Sequence, residues 1–154
     1  MTENIEIRPA QCGDVAAIAA MFAEDTLGGH GDSADPADLP LYLAAFDRIA
    51  ASSNDALYVA VLGGEVVGTF QTTLVTSLTG KGASSLTIEA VHTRGDMRGR
   101  GIGQAMVNHA IAEARHKGAR LVQLMSNAAR LDAHRFYRSL GFTQSHAGFK
   151  MKLG

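Results

Sequence analysis

Six residues, Arg98-Gly99-Arg100-Gly101-Ile102-Gly103, constrain this chain more than any others. Before them an apolar run, Leu86 to Thr93, reads as a strand; after them an amphipathic run, Gly101 to Lys117, reads as a helix. Glycines at such a junction let the backbone approach a ligand closely. The converging N–H groups and the helix dipole favour an anion there. The segment therefore predicts a phosphate-sized cradle, against the plainer alternative of a glycine-rich connection. A P-loop is excluded, because no Gly-Lys-Ser or Gly-Lys-Thr occurs. A dinucleotide fingerprint is excluded too, because its third glycine would fall at Gln104.

The cradle sits in a chain of 154 residues, enough for one domain with a real core, 1–154. The sequence is 46% hydrophobic and 19% charged, with net charge −1, so the expectation is a folded globular protein. Near-neutral charge argues against nucleic acid as a partner. No run reaches the length of a membrane span, and Met1 to Arg8 lack the apolar core of a signal peptide. The single cysteine, Cys12, excludes an internal disulfide and fits the reducing cytoplasm.

Ile5 and Ile7 alternate with polar neighbours as a strand ended by Pro9. Asp14 reads as an N-cap for a helix carrying Ile18, Met21 and Phe22, which Gly28-Gly29-His30-Gly31 stops. Asp35-Pro36 opens the next helix, with Leu39, Leu43, Phe46 and Ala50 as its stripe. Leu57–Leu62 and Val66–Phe70 flank Gly63-Gly64 as a hairpin. Strand 86–93 and helix 101–117 follow, then strand Leu121–Met125. A short helix carries Ala133, Phe136, Tyr137 and Leu140 and stops at Gly141, and Phe142 to Leu153 read as one or two final strands. The order β-α-α-β-β-β-α-β-α-β implies an α+β fold on a mixed sheet.

Glu89 interrupts the apolar strand Leu86-Thr87-Ile88-Glu89-Ala90-Val91. Buried there, its carboxyl would rise toward a useful pKa for a base; otherwise it is a glutamate at the sheet surface. Val91 and Thr93 are expected on its face of the strand. Tyr137 reads as a core aromatic beside Phe136 on position alone. The six histidines show no metal-binding spacing, and His109 and His116 are expected to be exposed.

Arg98, Gly101 and Gly103 form R-x-x-G-x-G, which resembles the pyrophosphate loop of the GCN5-related N-acetyltransferases. Ser126-Asn127, the run Asp132 to Tyr137, and Leu140-Gly141-Phe142 resemble the same family's N…A..FY..LGF segment. The likeness covers roughly Leu57 to Leu153. It implies the family fold, a mostly antiparallel mixed sheet flanked by helices. It implies acetyl-CoA as cosubstrate and transfer of its acetyl group to a small primary amine by direct attack in a ternary complex. By the same resemblance Glu89 is the base, directly or through water, and Tyr137 the acid at the coenzyme sulfur. The backbones of Val91, His92 and Thr93 would hold the acetyl carbonyl and pantetheine arm, provided that the strand splays. Arg98, Gly99, Arg100, Gly101, Ile102, Gly103 and Gln104 would hold the pyrophosphate. Asn127 would lie near the pantetheine arm, or simply form a turn.

His30, Asp32 and His134 are candidate acceptor contacts, set against ordinary loop roles. Arg130, Ser145-His146 and the motif residues look like the C-terminal half of aminoalkylphosphonate N-acetyltransferases. That leaves a phosphonate acceptor open. A protein acceptor, and a coenzyme-A-binding regulatory module without turnover, also stay open. No metal, nucleic acid or membrane partner is implied; a homodimer is compatible.

Overall fold

The computed structural model describes residues 4–27 and 30–154. It divides into two compact units, Met1–Gln123 and Leu124–Gly154. In the first, β1 (Glu6–Pro9), β2 (Asp55–Leu62), β3 (Glu65–Thr76) and β4 (Ser84–Thr93) pair antiparallel in chain order. β5 (Leu121–Leu124) ends the order β1-β2-β3-β4-β5. Arg120 N–H donates to the Ser84 carbonyl and Gln123 to Thr87, so β5 runs parallel to β4. That is the direction a strand–helix–strand crossover requires. Gly63 and Gly64, at φ 59° and 81°, make the two-residue turn of the β2–β3 hairpin.

Two helices cover one face of this sheet and one helix the other. α1 (Val15–Glu24) lays Ile18 and Met21 on Val59. α2 (Leu39–Ala51) follows a 3₁₀ turn in which Asp35 accepts from Ala37 N–H ahead of Pro36, the predicted cap. A four-residue turn, α3 (Thr79–Gly82), joins β3 to β4. On the opposite face α4 (Ile102–His116) buries Ile102, Met106, Val107, Ala110 and Ala114. Gly68 permits this packing: a Cβ there would stand 2.9 Å from Met106 Sδ and 3.1 Å from Ile102 Cγ2. Phe70, Leu86 and Val67 are fully buried in the sheet, each contributing about 1.5–3 kcal/mol.

Several expectations need correction. α1 ends at Glu24, before the glycine run, and Gly28-Gly29 lie outside the described residues. Asp14 gives α1 no side-chain cap; its carboxylate instead accepts from Arg8 and from Gln11 N–H. His109 is half-buried, its ring 4.9 Å from that of Tyr58, whereas His116 is exposed. The second unit holds α5 (Leu131–Ser139) and no strand over 142–153. Phe149, Met151 and Leu153 keep the alternation of a strand but are 93%, 84% and 91% exposed. The pattern supplies one face of a strand, and a strand needs a ladder partner as well.

Candidate active site

The register of β3 and β4 decides which side chains meet. Thr69 and Gln71 point to the α1 face, whereas Gly68, Phe70 and Thr72 meet α4 residues. Gln71 pairs with Glu89 and Thr69 with His92, with a register shift between them. Ala90 supplies the extra residue, in left-handed backbone at φ 50°. It is a β-bulge, costly for a residue with a Cβ and often found where a strand serves a site. Glu89 and His92 therefore share the α1 face. Val91 and Thr93 turn to the α4 side, which corrects the expectation that they sit with Glu89: the bulge removes one step of alternation. Glu89 is exposed rather than buried, which corrects the expectation of a carboxyl enclosed by the apolar strand.

His92 is half-buried. Its ring meets the edge of Phe22 at 4.9 Å and its Nε2 lies 3.8 Å from Asp25 Oδ2. Asp25 closes α1, and its neighbour Glu24 brings Oε2 beside Gly95. Beyond the bulge, Arg94 N–H donates to the Val67 carbonyl at 2.8 Å, which keeps β4 on the sheet up to the turn.

The turn has the form that the sequence predicts. Gly99 and Gly101 take φ 78° and 80°, and Gly101 is the N-cap of α4. No side chain caps this helix and its first turn carries no acidic residue. The leading N–H groups of α4 are thus available to an outside acceptor. Arg98 and Arg100 are exposed beside them. Donor set and charge both fit a pyrophosphate.

In the second unit, Asn127 forms a turn: its Oδ1 accepts from Ala129 N–H at 2.9 Å. His134 Nε2 lies 2.9 Å from the Asn127 carbonyl oxygen and fastens α5 to that turn. The Tyr137 ring packs edge-on against Phe136 and Phe142. Burial pushes the Tyr137 hydroxyl up in pKa, and the Arg130 charge opposes only part of this. The phenol is therefore protonated at neutral pH. Asp32 accepts from the Tyr42 hydroxyl at 2.7 Å beside α2, and His30 is exposed.

The His92 side chain escaped the sequence reading, as did its pairing with Asp25. The signal for His92 was a break in alternation. Leu86, Ile88 and Val91 share the α4 side at spacings of two and then three, which marks an inserted residue. Among the described residues, no three His, Cys, Asp or Glu side chains are grouped as a metal site would need, and no helix is long and apolar enough to cross a membrane.

Residues 16–142 match the family model described as the acetyltransferase (GNAT) family, and the chain belongs to it. An aminoalkylphosphonate N-acetyltransferase of Salmonella typhimurium is 47% identical over 57 residues, 37% of this chain and 37% of that protein. An uncharacterized N-acetyltransferase of Methanocaldococcus jannaschii is 45% identical over 49 residues, 32% of this chain and 22% of that protein. The chain thus spans well under half the length of the curated relatives it matches. A crystal structure of a transcriptional regulator from Bacillus halodurans superposes with TM-score 0.93 at 39% identity, covering 97% of this chain and 100% of that one. An aminoglycoside N-acetyltransferase in complex with CoA shares the fold, with TM-score 0.80 at 14% identity, covering 99% and 97%.

Proposed function

We propose that this protein is an acetyl-CoA-dependent N-acetyltransferase acting on the primary amine of a small molecule, by direct attack in a ternary complex. The observation that carries the reading is the junction of β4 and α4. One continuous stretch, residues 89–104, presents a carboxylate, a bulge and then an uncapped helix start. The N–H groups of Gly101, Ile102, Gly103 and Gln104, with Arg98 and Arg100, hold the pyrophosphate. The backbones of Val91, His92 and Thr93 hold the acetyl carbonyl and the pantetheine arm. Glu89 draws the proton from the acceptor's ammonium, directly or through water, and Tyr137 gives one to the departing thiolate. A single exposed cysteine accords with a cytoplasmic place for this chemistry.

Two other readings have specific support. The Salmonella relative favours an aminoalkylphosphonate acceptor, for which Arg130 and Arg135 are candidate anion contacts. The Bacillus halodurans structure, described as a transcriptional regulator, favours a regulatory module. Thiol release from acetyl-CoA, measured over aminoalkylphosphonates, amino sugars, polyamines and lysine peptides, separates them. Turnover with a small amine supports the proposal. Turnover confined to peptides, or acetyl-CoA binding without turnover on any amine, overturns it.

A further inference from the structure

A bulge with one extra residue puts two titratable side chains on the same sheet face at an interval of three. Their β3 partners, Gln71 and Thr69, are two apart on a regular strand, about 7 Å along its axis. Glu89 and His92 are thus neighbours on one face, at a spacing that a bridging water spans.

His92 is also built in. Phe22 meets the ring from α1, and Asp25 stands at one ring nitrogen; the His92 and Asp25 side chains are 23% and 12% exposed. A carboxylate at that range favours the charged form of an imidazole. Glu24 at the end of α1 and Glu89 on β4 itself add acidic charge on this side, and Arg8, opposite Val59 on β1, shares the face but is engaged by Asp14. Opposite on β3 stand Thr69 and Gln71, which do not titrate. Arg94, two residues on, is engaged by Asp96 and Glu65.

The geometry points to His92 as the proton-relay residue of the transfer site, oriented by Asp25: it takes on the proton that Glu89 draws from the acceptor's ammonium. This rests on the N-acetyl transfer proposed above. One N–H bond of the ammonium breaks, and its proton passes through Glu89 to the imidazole. The freed lone pair forms the N–C bond to the thioester carbonyl, the C–S bond breaks, and the thiolate is protonated. The imidazolium, held by Asp25, then returns its proton to solvent. A base whose charge changes near neutral pH suits this task better than a carboxylate alone.

The test is the pH profile of kcat/KM for wild type, His92→Gln and Asp25→Asn, with an amine that wild type acetylates. The acetyl-CoA-induced thermal shift serves as a check on folding. His92→Gln is expected to lose about a hundredfold at neutral pH, and with it the acid limb of the profile. Asp25→Asn is expected to move that limb to lower pH, because the ring becomes less basic without its carboxylate. A purely structural histidine would change stability and leave the limb where it was. Wild-type rate and limb in His92→Gln overturn the inference alone. Should that variant fail to fold, an unmoved limb in Asp25→Asn overturns it. No acetyl transfer by wild type overturns the proposed function together with it.

Discussion

Glu89 and His92, three residues apart on β4, stand on one face of the sheet because Ala90 between them adopts φ 50°. Without that bulge, strict alternation would place Val91 beside Glu89 and send His92 to the α4 side. The site therefore depends on a backbone irregularity as much as on its side chains.

Replacing Glu89 by Gln keeps the shape of the side chain and removes its proton affinity. We expect kcat/KM for a small amine to fall about a hundredfold. Part of the loss should return at high pH, where the amine is already neutral. Steady-state rates across pH check this, and a variant with the wild-type profile would remove Glu89 from the chemistry.

Gly101 tests the cradle. At φ 80° a residue with a Cβ is strained by about 1–2 kcal/mol, and a bulky side chain there or at Gly103 would take up the space proposed for the pyrophosphate. Gly101→Val and Gly103→Leu should lose the thermal stabilisation that acetyl-CoA gives wild type by mass action. Differential scanning fluorimetry with acetyl-CoA, NAD and ATP reads this directly. A retained shift would move the coenzyme elsewhere.

The turn was legible from the sequence because glycine at a strand–helix junction has few other uses, and the observed φ values follow from it. The bulge was not, since alanine carries no signature for left-handed backbone; only the interval from Ile88 to Val91 betrayed it. The final strands were misread for a different reason. Phe149, Met151 and Leu153 have the right period, but a period cannot report whether a ladder partner exists. The pairing of Asp25 with His92 has no local signal, because the two are 67 positions apart along the chain.

Tyr137→Phe deletes one hydroxyl and keeps the ring contacts with Phe136 and Phe142. If the phenol protonates the leaving thiolate, kcat should fall roughly ten- to a thousandfold, with melting temperature and acetyl-CoA affinity almost intact. Pre-steady-state measurement shows whether chemistry limits turnover. An unaltered chemical step would return Tyr137 to the core of its unit.

Asp14 is a stability test away from the site. Its carboxylate accepts from Arg8 at 2.8 and 3.0 Å and from Gln11 N–H at 2.7 Å. The hydrogen bond from Arg8 holds its pKa below the ordinary 3.8, so its contribution is present above that value and lost as pH falls through the lowered one. Asp14→Asn should cost about 1.5–3 kcal/mol at neutral pH. The difference from wild type should shrink in strong acid. Urea melts at pH 7 and pH 3 check both, and equal losses at the two pH values would contradict the assignment.

The central claim is that the β4–α4 junction receives acetyl-CoA, and a titration followed through backbone amide resonances tests it most directly. The account predicts saturable shifts concentrated at Gly101, Ile102, Gly103 and Gln104, with a second set at Val91, His92 and Thr93. Saturable binding that leaves these amides unmoved, or no binding of acetyl-CoA at all, would contradict it.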